Sequence, residues 1–145
     1  MGKRSKGRQL LLQAMYASRL SGRTLTDCLE ERVAGAARPN RPVAEDSVVF
    51  ARQLARHVIN HGEALERSVG PLLANWDLER VGLLERLIIT LALTELHHSP
   101  EVPFRVVLDE ACELARTFCD DGAVKFVNGV LDRAAGDLKR EVDQG

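Results

Sequence analysis

The run LIITLAL, Leu87 to Leu93, constrains the fold of this chain more than any other segment. It carries no charge, so it needs shelter from water. A helix that crosses a bilayer takes roughly 20 apolar residues, and this run is too short for that. Leu84, Leu87, Ile88 and Leu91 recur at the spacing of one helix face, which predicts a helix at the centre of a folded protein and its most buried element.

The same helical period runs through most of the chain. A first helix is predicted from about Arg4 to Leu20 and a short second one from Thr24 to Val33. A long third runs from Asp46 to Ser68, with Phe50, Leu54, Val58 and Leu65 on one side. Gly70-Pro71 ends it and starts a short turn of helix through about Asn75. Asp77 is placed to cap the central helix, with Glu79 in its first turn. Pro103 suits the first turn of the next helix, along which Val107, Ala111, Leu114 and Phe118 follow. After the turn CDDG a last helix extends to about Lys139. No segment alternates as a strand does, and no repeat is visible. The expected class is therefore all-α, a bundle of about seven helices. The stretch AGAARPNRPVA, residues 34–44, breaks the pattern and is a candidate division between subdomains. Aromatic residues make up only 4% of the chain, so the core is aliphatic, which suits packed helices.

Net charge is −1, but its distribution is uneven. Six basic residues, Lys3, Arg4, Lys6, Arg8, Arg19 and Arg23, precede the first acid, Asp27; the remainder holds 14 basic and 21 acidic residues. A basic head on an acidic body points to a polyanionic partner for the head. A charge run of this kind is also what a solvated N-terminus looks like. Three cysteines, Cys28, Cys112 and Cys119, form no CxxC pair, which suggests reduced thiols in a reducing compartment. No secretory or membrane segment is recognisable, so the expected location is the cytoplasm with no membrane contact.

Two helices carry side chains away from their apolar faces. In the last, Val124, Val127, Leu131, Ala134 and Leu138 fall in one sector, while Phe126 lies roughly a third of a turn from its centre and Lys125 lies opposite. In the first, Leu11 and Met15 centre the apolar face, and Lys6, Gln13 and Tyr16 point towards the other side. Cations for phosphates, rings for splayed bases and amides for base edges are what single-stranded RNA requires. For Phe126 alone, packing against a neighbouring element is the plainer reading. A shared RNA site needs both helices to present their rings on one surface.

The segment KFVNGVLD, residues 125–132, preceded by VPFRVVLDEACELARTF, resembles the C-terminal signature of the bacterial transcription antitermination factor NusB family. ERVGLLERLIITLALTEL and GRQLLLQAMYASRL resemble its preceding and N-terminal helices. The resemblance implies a single all-helical domain over residues 1–145, with two packed subdomains of about 1–75 and 76–145. It implies binding of the boxA segment of nascent single-stranded RNA, together with the small-subunit ribosomal protein NusE, in an antitermination complex on RNA polymerase. It places the RNA contacts on Lys3, Arg4, Lys6, Arg8, Gln13 and Tyr16, with a second region at Lys125, Phe126 and Asn128. No cofactor is implied. A homodimer that hides the RNA surface is compatible with it. Trp76 and the acids Glu79 and Glu85 are a candidate dock for the basic ribosomal partner, on charge complementarity. Two departures stand out. Gly122 and Ala123 occupy the place of the family's Asp-Ser pair, and glycines at 2 and 7 leave room for an arm that is disordered without RNA.

Catalysis finds little support. His57 and His61 are four apart, but HVINH lacks the adjacent glutamate of a zinc protease, and packing or solvent contact is the expectation for them. There is no phosphate loop or nucleophile elbow. NusB-like domains also begin RNA cytosine methyltransferases, and a chain ending at Gly145 is expected to lack that activity. The rival readings are a helical protein-interaction adaptor without direct RNA binding and a metal-dependent hydrolase centred on His57 and His61.

Overall fold

The structure, a computed structural model, describes residues 2–73 and 82–144. Six α-helices are present among them: α1 (Lys3–Ser21), α2 (Leu25–Ala36), α3 (Glu45–Ser68), α4 (Leu83–His98), α5 (Phe104–Phe118) and α6 (Gly122–Gln144). A single 3-10 turn, Gly70–Leu73, accounts for the seventh helical element expected. Among the described residues no strand forms; an isolated bridge between Arg38 and Arg41 closes the loop before α3. None of the described helices is long and apolar enough to cross a membrane.

The chain divides into two compact units, Met1–Asn60 and His61–Gly145. The division falls inside α3, rather than in the 34–44 loop or near residue 75 as the sequence suggested. Prolines and glycines in a loop mark a break in secondary structure, whereas a compact unit is defined by which helices share a core, and one long helix can serve two cores.

In the first unit α1 packs on α2 and on the start of α3. Gly22 ends α1 at φ 75°, a left-handed conformation open to glycine, and its N–H donates to the Ser18 carbonyl at 2.9 Å. Thr24 caps α2, its hydroxyl accepting from the Asp27 N–H at 3.1 Å. At Gly7 α1 approaches α3 closely: a Cβ there would stand 2.8 Å from the Ser47 carbonyl oxygen and 2.9 Å from the Phe50 ring. This glycine therefore serves helix packing, and the arm it belongs to is helical from Lys3 onward rather than loose.

In the second unit α4 packs against α5 and α6, and α6 also meets the 3-10 turn. Every residue of α4 from Leu87 to Glu95 is buried, as its apolar run predicted. Thr90 and Thr94, inside this run, donate their hydroxyls to the carbonyls of Arg86 and Thr90, four residues back. Pro103 caps α5 from just outside it.

Candidate nucleic-acid interface

The basic residues of α1 do not share one environment. Lys3 is exposed and pairs with the Asp46 carboxylate at 3.2 Å, while its carbonyl accepts from the Ser47 hydroxyl at 2.7 Å. These contacts tie the beginning of α1 to α3. The guanidinium carbons of Arg4 and Arg8 stand 5.2 and 5.0 Å from the centroid of the Phe50 ring, within cation–π range. Arg4 is exposed, and Lys6 is half-buried. Arg8 is only 3% exposed, which corrects its assignment as an open phosphate contact. The residue lies on the side of α1 that carries Leu11 and Met15, because positions three and seven later share its face.

Further along α1 the predicted polar side holds. Tyr16 is exposed. Gln13 is half-buried, and its Oε1 accepts a hydrogen bond from Arg32 Nε at 2.9 Å. Arg32 belongs to α2, and nothing in the spacing along α1 could have announced it.

The second predicted region is placed differently. Lys125 is exposed, but Phe126 is 6% exposed and belongs to the buried side of α6, with Ala123, Val127, Val130, Leu131 and Ala135. Of the two places its angle allowed, the edge of the core or outside it, Phe126 takes the first, which is the plainer reading of packing against a neighbouring element. At 100° per residue the buried stripe spans far more than the narrow sector around Val127, and Phe126 falls at its edge, about 80° from the centre. A ring so placed offers little face to a base, so the notion of Tyr16 and Phe126 as a joint platform loses its second member. Asn128 is half-buried and engaged: its amide donates to Asp132 Oδ2 at 3.3 Å, and its carbonyl oxygen lies 3.9 Å from Cys112 Sγ, a weak donor. Ala123 sits in the core stripe and starts the helix through its N–H, which donates to the Asp120 carbonyl at 2.9 Å.

Of the candidate partner-docking residues, Trp76 and Glu79 lie outside the described residues. Glu85 is half-buried and faces Cys119. Burial, with the Glu85 charge next in size, pushes the Cys119 thiol up to about 11. Burial likewise pushes the Cys112 thiol up. All three cysteines carry free thiols, as their spacing suggested. His61 stacks on His98 with ring centroids 4.1 Å apart and planes 17° from parallel, a contact between distant segments that the HVINH spacing did not reveal.

Comparison with known proteins bears on what this surface serves. Residues 5–136 match the NusB family. The chain is 34% identical over 140 residues to the transcription antitermination protein NusB of Myxococcus xanthus, an alignment covering 97% of this chain and 99% of that one. Among solved structures it resembles T. maritima NusB at 26% identity, covering 92% of this chain and 90% of that chain with a TM-score of 0.79. It also resembles the fold seen in a crystal structure of antitermination factors NusB and NusE in complex with dsRNA, at 24% identity, with 90% and 94% of the chains covered and a TM-score of 0.78.

Proposed function

This chain belongs to the NusB family, and from that premise we propose that it is a transcription antitermination factor that binds boxA-type single-stranded RNA together with the ribosomal protein NusE. In this reading it is an adaptor that supplies affinity and position within an antitermination complex on RNA polymerase, in the cytoplasm. It holds no step of covalent chemistry.

The observation that carries the reading is what α1 exposes. Lys3 and Arg4 are exposed at its start, on the side that meets α3, and further along Tyr16 is exposed and Gln13 half-buried on its polar side, so cations, an amide and a flat ring lie along one helix that the family match includes almost from its start. Each side chain has a physical task. The cations attract phosphate and release counterions, which makes binding weaken as salt rises. Tyr16 stacks on an unpaired base, worth roughly 1–3 kcal/mol. Gln13 contributes an amide to base edges.

A filter-binding titration with a boxA-type RNA, with and without NusE, tests this. Binding is expected to be tighter with NusE and to fall linearly in log K against log salt, by about 0.7 for each phosphate contacted on a single strand. Salt-insensitive retention, or none under either condition, would favour the protein-interaction adaptor that never touches RNA.

A further inference from the structure

We infer that Arg32, on α2, is a phosphate-binding residue of the same RNA surface, held in position by Gln13. The inference rests on the RNA-binding reading above and extends the surface from one helix to two. Within the sequence of α2, Arg32 looks neutralised, because Glu30 and Glu31 precede it directly. The structure separates the three. Glu30 takes a two-pronged bond from Arg52, Nε to Oε1 and Nη2 to Oε2, both 2.8 Å. Glu31 takes another from Arg23, with both contacts at 2.6 Å. Successive residues of a helix point about 100° apart, so each acid reaches a different arginine. Both oxygens of each carboxylate are occupied, and these pairings draw both carboxyl groups below their usual range.

Arg32 itself is exposed and donates its Nε to the neutral amide of Gln13. A neutral partner fixes the guanidinium without cancelling its charge. The bond engages Nε, and the two Nη groups form the planar fork that suits a phosphate. Gln13 and Tyr16 lie three apart, hence side by side on α1. Arg32 therefore stands next to a residue one helical step from the ring proposed to stack on a base. A backbone phosphate beside a stacked base is the ligand this arrangement fits. With Oε1 turned to Arg32, Gln13 keeps its NH2 as a donor for base acceptor atoms, which links the cation to base preference.

The test is fluorescence anisotropy with a labelled boxA-type single-stranded RNA and NusE, across a salt series, comparing wild type with Arg32→Gln and Arg32→Lys. Arg32→Gln is expected to lower the association constant about three- to tenfold at low salt and to reduce the salt slope by about 0.7. Arg32→Lys is expected to keep the slope, since it keeps the charge. Two outcomes overturn the assignment: an unchanged slope in Arg32→Gln beside a wild type that binds, whether or not affinity falls, or an equal loss of NusE binding when RNA is absent. If the wild-type chain itself fails to bind, the RNA-binding reading falls, and Arg32 with it. Melting temperatures of both variants within a few degrees of wild type keep the comparison free of unfolding.

Discussion

Residues 3–16 and residues 125–128 contain the same ingredients, a cation, an aromatic ring and an amide, yet the fold uses them differently. On α1, Tyr16 is exposed and Gln13 is joined to a second cation. On α6, Lys125 alone is open, Phe126 is buried, and Asn128 is engaged with Asp132 and Cys112. The difference comes from position around each helix. Tyr16 lies across from Leu11 and Met15, whereas Phe126 sits three residues from Ala123 and four from Val130, both buried. The first region thus presents a surface, whereas the second is largely packed into the core of its own unit. Composition alone cannot separate those two tasks.

The sharpest way to break this contrast is Phe126→Ala. A buried ring removed from a helix interface is expected to cost about 3–5 kcal/mol of stability, read from urea denaturation of the whole chain. A loss below about 1 kcal/mol with weakened RNA binding would instead place Phe126 on the RNA side. Tyr16→Ala should behave in the opposite way. Stability should stay within about 0.5 kcal/mol, because the side chain is exposed, while RNA binding weakens by about 1–3 kcal/mol. Gly7→Ala probes what holds α1 in place. Its Cβ would crowd backbone and ring atoms of α3 at under 3.0 Å. The expected cost is about 1–3 kcal/mol in thermal or urea unfolding, with α1 shifted from its seat. Wild-type stability in that variant would mean that the α1–α3 contact is soft.

Much of this fold was legible because apolar period and breakers are local signals. The helices lie near where spacing predicted, although α4 begins at Leu83 with Gly82 at its N-cap rather than just after Asp77, which lies outside the described residues; Leu87 to Leu93 proved as buried as their composition required. The division between units was less legible, since it depends on which helices share a core. At the site, the polar side of α1 could be read from angles about its own axis. Phe126 could not, because it lies towards the edge of an apolar stripe, where a change of some tens of degrees in the stripe's width decides between core and surface. Arg8 lies well inside its stripe, on the face of Leu11 and Met15, and only its charge argued for the surface. Arg32 was invisible for another reason: its partner lies 19 residues away on a neighbouring helix, and the acids beside it in sequence point elsewhere.

The smallest effect concerns Glu85, whose candidacy as a docking acid supposes an outward-facing carboxylate. In the structure it faces Cys119, and its charge is the second largest cause, after burial, of a thiol pushed up to about 11. If the acids of the second unit are turned inward like Phe126, Glu85→Gln should lower the Cys119 pKa and speed its alkylation. The gain is bounded, because burial remains. One pKa unit corresponds to a tenfold change in thiolate at a pH well below the pKa, so the rise in rate at pH 8 should be less than about tenfold. Peptide-resolved mass spectrometry after timed exposure to iodoacetamide would read it at Cys119 alone. An unaltered rate, beside a loss of NusE binding in the same variant, would turn Glu85 outward again and erase this part of the contrast between the two units.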